Sequence, residues 1–171
     1  MVKILLGRDE VNPDGPDNEG RTPLVFAAKR GHEGVVRALL GQEEVNPDKP
    51  DNKGRAPLSY AAGGRGRYSS SEVIKLLLGR DEVNPDRPDN DGRTPLSWAA
   101  EHGYEGVAKI LLGREEVNPD RPDNNGQTPL AFAARAGHQG LVSALLGREE
   151  VNLNKPENDG QTPLMWGAKL S

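Results

Sequence analysis

The sequence predicts an all-α repeat solenoid, and two observations carry that prediction. The first is a fixed period. Thr-Pro-Leu opens at Thr22, Thr94, Thr128 and Thr162, an Ala-Pro-Leu version opens at Ala56, and the successive steps are 34, 38, 34 and 34 residues. A period of this size is the mark of stacked supersecondary units. The second observation is composition. Hydrophobic residues are 34% and aromatic residues 4% of the 171, beside 21 Gly and 14 Pro. That is thin for one conventional core, but a repeat array buries each unit only against its neighbours.

The repeats divide the chain into a partial unit at 1–20, full units at 21–54, 55–92, 93–126 and 127–160, and a partial unit at 161–171, read as one repeat domain. Met1–Gly7, MVKILLG, aligns with Val107–Gly113, VAKILLG, so the chain opens inside a second helix. Terminal repeats normally carry a polar outer face. Here Met1, Ile4 and Leu5 at one end and Met165, Trp166 and Leu170 at the other are apolar. The expectation is a segment of a longer array, or an array that self-associates end to end through its uncapped terminal repeats.

The unit 93–126 shows the local logic. Thr94 is placed to cap a helix, and Pro95 suits the first helical position, where a missing N–H costs nothing. Leu96, Ala99 and Ala100 form an apolar stripe at helical spacing. Gly103 ends this helix. A second helix runs from Glu105 to Leu112 with Val107, Ile110, Leu111 and Leu112 inward, and Gly113 is expected to stop it as a C′ glycine. Val117 to Gly126, VNPDRPDNNG, holds two prolines among Asp, Asn and Gly and reads as an extended finger with a turn. Such a unit cannot bury its apolar stripe alone, which is why copies must stack.

Thr-Pro-Leu, the Ala pair, Gly-His or Gly-Tyr, Leu-Leu, Val-Asn and an Asp-x-x-Gly turn together resemble the ankyrin repeat pattern across nearly the whole chain. The variant is most similar to ankyrin arrays attached to fungal NLR-type (NACHT) signalling ATPases, or to an engineered array derived from such repeats. The resemblance implies a non-catalytic protein-binding fold whose first helices and fingers line a concave groove. Two departures stand out. Val25, Ser59, Ser97, Ala131 and Met165 occupy the place of the family's usual His, so its Thr–His bonding is absent or rebuilt. The second helix is followed by an early Gly and a longer finger. The unit 55–92 carries its extra length near 63–71, GGRGRYSSS, between its two helices. Ser69-x-x-Glu72 has capping-box spacing. A tolerated loop insertion is the preferred account, ahead of a basic contact loop or a phosphorylation site at Ser69–Ser71.

Composition excludes several function classes. There is no Cys, so disulfides, thiolate nucleophiles and Cys-bearing zinc sites are out. That usage and the lack of a signal peptide point to an intracellular, cytoplasmic setting. A net charge of −4 gives no general pull toward nucleic acid or anionic membrane. No metal, cofactor or catalytic residue is expected. His32 and His138 share a slot that holds Tyr104 in another unit, so the slot does not demand a ligand or base. The Asp/Asn fingers put Arg and Pro where a calcium loop needs ligands, as in Asp86–Gly92.

The candidate binding residues are those that differ between copies. They fall before the turn Gly (Glu19, Lys53, Asp91, Asn125), after it (Arg21, Arg55, Arg93, Gln127) and at the end of the first helix (Lys29, Arg30, Glu101, His102, Arg135). The resemblance places these positions on the groove, facing a protein partner. Two further columns belong to the scaffold in this reading. Phe26, Tyr60, Trp98, Phe132 and Trp166 form an aromatic row that fills gaps left by so much alanine. Mid-finger Lys49, Arg87, Arg121 and Lys155 are expected to pair with the acids flanking them, such as Asp48 and Asp51. The alternative functions are a structural or engineered scaffold without a native partner, or the sensor segment of a larger signalling ATPase.

Overall fold

The structure, a computed structural model, describes residues 6–8, 10–64 and 71–169. The chain forms two compact units, residues 1–84 and 85–171. The first holds α1 (Pro23–Lys29), α2 (Glu33–Leu40), α3 (Pro57–Ala62) and α4 (Ser71–Leu78). The second holds α5 (Pro95–His102), α6 (Glu105–Leu112), α7 (Pro129–Ala136), α8 (Gln139–Leu146) and α9 (Pro163–Ala168). No strand occurs among the described residues. The result is an all-α repeat solenoid fold of helix pairs joined by fingers.

Each first helix starts at the proline of its Thr-Pro or, at Ala56, Ala-Pro pair. The hydroxyls of Thr22, Thr94 and Thr128 accept the N–H groups of Val25, Ser97 and Ala131 at 3.4, 3.2 and 3.2 Å. These bonds satisfy donors that a helix N-terminus would otherwise leave unpaired. Ser97 adds a second tie to the same threonine. Its hydroxyl lies 3.2 Å from that of Thr94 and accepts the Thr94 N–H at 3.4 Å, closing a capping box within the helix.

Within the first unit α1 packs on α2 and α3, while α4 packs on α2 and α3. Within the second, α7 packs on α5, α8 and α9, and α6 on α5 and α8. The cores are aliphatic: Leu24, Val36, Leu39, Leu58, Val73, Ile74 and Leu77 in one unit, and Leu96, Val107, Leu111, Leu130, Leu141 and Leu145 in the other. Ala28, Ala62, Ala99, Ala100 and Ala133 are fully buried between helices, where a larger side chain would hold them apart. Ile110 is only half-buried, and Ala108 takes the inward place beside Val107.

The two expected helix stops behave differently. Gly103 closes α5 at φ 73°, in the left-handed region that favours glycine. Gly113 follows the last residue of α6 as the expected stop, but at φ −77°, outside the left-handed region. That helix instead runs out into turns: Arg114 N–H donates to Leu111 O at 3.0 Å and Val117 N–H to Arg114 O at 3.2 Å. Arg148 reaches back to take the free Leu112 carbonyl at 2.7 Å.

Successive fingers are joined by asparagine. Asn52 donates its backbone N–H to Glu19 O at 2.9 Å and its side-chain amide to Asn18 O at 3.1 Å. In the second unit Asn124 does the same to Asp91 O and Asn90 O, and Asn158 to Asn125 O and Asn124 O, all at 2.9–3.0 Å. Most of the expected insertion, including Tyr68, Ser69 and Ser70, lies outside the described residues.

Candidate functional site

The aromatic row stands on the first helices with a cation over every ring. In the first unit Arg21 lies 4.9 Å from the Phe26 centroid, and Tyr60 is faced by Lys29 at 5.5 Å and Arg55 at 4.6 Å. In the second unit Arg93 lies 3.7 Å from Trp98 and 4.4 Å from Phe132, so one guanidinium serves rings of two successive repeats. Arg135 does likewise for Phe132 at 5.2 Å and Trp166 at 5.7 Å, and Lys169 covers Trp166 at 4.1 Å. Such contacts are worth about 0.5–1 kcal/mol where exposed and more where water is excluded. Tyr60 and Phe132 are buried, Trp98 and Trp166 half-buried, and Phe26 is 40% exposed.

Where the ring carries a polar edge, the acid that opens the finger turn fixes it to the finger. Asp51 Oδ2 accepts the Tyr60 hydroxyl at 2.6 Å, Asp89 Oδ2 the Trp98 indole N–H at 3.1 Å, and Glu157 Oε1 the Trp166 indole N–H at 2.5 Å. The other oxygen of each Asp folds the turn. Asp51 Oδ1 accepts the Lys53 and Arg55 N–H groups, and Asp89 Oδ1 those of Asp91 and Arg93, at 2.9–3.0 Å. Burial alone would raise the Asp51 carboxyl, but the Tyr60 hydroxyl and the Arg55 and Lys53 amides together hold it below its ordinary value. Burial and the bond to Asp51 push the Tyr60 phenol well up. Sequence reasoning assigned these acids to turn chemistry and missed their grip on the rings. The constant nine-residue interval from acid to aromatic was the available signal.

The structure sorts the sequence-predicted binding residues by how far they are already engaged. Lys29, Arg30, Lys53, Asp91 and Asn125 are exposed, and Glu19 is exposed with its carboxylate 3.0 Å from Arg21. The residues after the turn Gly are occupied within the chain. Arg21 pairs with Asp17 at 2.7 Å, Arg55 lies 3.5 Å from Asp51, and Arg93 pairs with Glu101. Gln127 donates to Glu157 Oε2 in the next finger at 2.6 Å. The Arg21 bond holds the Asp17 carboxyl below its ordinary value. His102 is half-buried, with Nδ1 2.9 Å from Trp98 O and its ring stacked on Tyr104 at 5.6 Å. His138 Nε2 lies 3.1 Å from the Glu101 carbonyl of the preceding repeat, a joint between copies.

The mid-finger cations correct one expectation. Their partners are acids one finger back: Lys49 with Asp14 at 2.8 Å, Arg121 with Asp86 at 3.0 Å and Lys155 with Asp120 at 2.9 Å. Stacking sets neighbouring fingers side by side, so the acid 35 residues earlier is nearer to the cation than the flanking ones. Burial raises the Asp86 carboxyl even with Arg121 beside it.

Among the described residues no group of three or more His, Cys, Asp or Glu is placed to hold a metal. No helix among them is long and apolar enough to cross a membrane. No curated protein matches the chain. The profile of the family described as ankyrin repeats (3 copies) matches residues 1–79, 45–123 and 111–171. Those spans take in all five first helices and the fingers between them, and the chain belongs to the ankyrin repeat family.

Proposed function

We propose that this chain is a non-catalytic protein-interaction module that grips its partner along the face carrying the aromatic row and the finger tips. The supporting observation is the arrangement of that face. Tyr60, Trp98 and Trp166 are locked to the fingers by the buried acids Asp51, Asp89 and Glu157, so side chains at the helix ends and tips are presented on a rigid frame. A preorganised surface loses less entropy on binding, and aromatic and Arg side chains are the usual anchors of such contacts. Family membership supports the same reading, because ankyrin repeats are in general protein–protein interaction modules.

The test is a pull-down from source lysate with the intact chain, comparing two variants. One replaces Lys29, Arg30, Lys53, Asp91, Glu101, His102, Asn125 and Arg135 with Ala. The other replaces Glu115, Glu116, Glu149 and Glu150, exposed beyond the second helices, with Ala. The reading expects a specific partner lost by the first variant and kept by the second, with thermal melting confirming that both fold. A partner kept by both sinks the groove assignment. No specific partner at all would favour a structural or engineered scaffold.

The likeness to arrays of fungal NLR-type ATPases supports a second reading, in which the chain is the sensing segment of a larger signalling protein. End-to-end pairing of copies belongs to the same proposal. Leu164 and Met165 on α9 are 76% and 51% exposed, and sedimentation at rising concentration would reveal the association.

A further inference from the structure

We infer that the face formed in the first unit by α1, α3 and their fingers binds an acidic peptide segment, an inference that rests on the interaction-module reading and names the chemistry of the partner. The evidence is a set of cations that the fold leaves unneutralised. Lys29 and Arg30 end α1, and Lys53 tips the finger before α3. All three are exposed, and none makes an ion pair among the described residues. The neighbouring cations are spent differently: Arg21 is held by Asp17 at 2.7 Å and Glu19 at 3.0 Å, and Arg55 lies 3.5 Å from Asp51.

One of the three, Lys29, shares an aromatic ring with Arg55. Lys29 Nζ and the Arg55 guanidinium both face Tyr60, at 5.5 and 4.6 Å from its centroid. The Lys53 backbone is anchored to the same acid: its N–H donates to Asp51 Oδ1 at 2.9 Å while Asp51 Oδ2 holds the Tyr60 hydroxyl at 2.6 Å, and its side chain is exposed. Beside them Phe26, 40% exposed, offers an apolar seat.

Counted over the same columns, the two units differ in sign. On the first, Arg21, Lys29, Arg30, Lys53 and Arg55 face only Asp17, Glu19 and Asp51, an excess of two positive charges. On the second, Arg93, Arg135 and Lys169 face Asp89, Asp91, Glu101, Asp123, Glu157 and Asp159, an excess of three negative charges. The whole chain is at −4, so the basic face is local. A long polyanion such as nucleic acid would meet the chain's overall negative charge, whereas a short acidic segment meets only this face. Acidic residues interleaved with apolar ones would answer both the cations and Phe26.

The intact chain is titrated with a fluorescein-labelled peptide of alternating Glu and Leu, with alternating Gln–Leu and Lys–Leu peptides and a labelled DNA duplex as controls. Saturable binding of the Glu–Leu peptide, weakening with salt, is expected, with affinity falling about tenfold or more in K29Q/R30Q/K53Q. The charge-preserving K29R/K53R should bind as the parent does. Thermal melts confirm that each variant is folded. Equal binding of the Gln–Leu peptide, preference for the duplex, or an affinity unchanged in K29Q/R30Q/K53Q overturns the inference. A lysate partner kept by K29Q/R30Q/K53Q but lost from the eight-residue groove variant would overturn it too, while leaving the interaction-module reading intact.

Discussion

The repeats that open at Ala56 and at Thr94 share Pro-Leu-Ser, an aromatic ring and two alanines, yet they secure the first helix in different ways. In α5 the hydroxyls of Thr94 and Ser97 close a capping box. In α3 Ala56 supplies no side-chain cap, and the buried Ser59 hydroxyl has no hydrogen-bond partner among the described residues. What α3 has instead is a stronger tie to its finger. Tyr60 is 7% exposed and bonds Asp51 at 2.6 Å, whereas Trp98 is half-buried and bonds Asp89 at 3.1 Å. The difference shows that a repeat can be held at its helix start or at its ring, and that losing one raises dependence on the other.

The widest separation between the two repeats should come from removing the rings. Tyr60→Ala is expected to cost about 3–4 kcal/mol and Trp98→Ala about 2–3, because Tyr60 is the more deeply buried. Urea denaturation of the two variants checks this, and a larger loss at Trp98 would reverse the comparison. Tyr60→Phe isolates the bond and should cost about 1–2 kcal/mol at neutral pH. The Asp51 carboxyl is held below its ordinary value, so its stabilisation is present above that value and disappears as pH falls through the lowered one. The Tyr60→Phe penalty should therefore shrink in melts taken below about pH 3.9. A penalty independent of pH would assign the loss to packing. The smallest effect concerns the caps. Ala56→Thr should stabilise by about 1 kcal/mol and Thr94→Ala destabilise by a similar amount. Thr22, Thr94 and Thr128 fit the same column at 0–1% exposure, so space for the substituted side chain exists in sister repeats. A destabilising Ala56→Thr would show that α3 is packed too differently to accept the cap.

Much of the fold was legible because its signals are local. Thr94 and Pro95 start α5, Gly103 ends it, and Glu105–Leu112 forms α6 as read, since capping and apolar periodicity act within one turn of the chain. Gly113 ends α6 as read, yet its backbone conformation was not legible, because glycine after a helix does not by itself specify a left-handed conformation. The partners of Lys49, Arg121 and Lys155 were misread because an acid 35 residues away carries no local signature, while flanking acids look equally suitable. The groove columns were visible as differences between copies. Which of their charges the fold consumes internally was not, since that depends on where stacking sets Arg93 against Trp98 and Phe132.

The asparagine joints between fingers also act as a gauge. Asn52, Asn124 and Asn158 each engage the preceding finger with backbone and side chain together, so one residue added within a finger would put both bonds out of step. A residue added between the paired helices displaces neither. The single longer step in this chain, 38 against 34, falls between α3 and α4. Change in length is channelled to the side of the repeat away from the asparagine joints, and new loops can arise there while the fingers stay in phase.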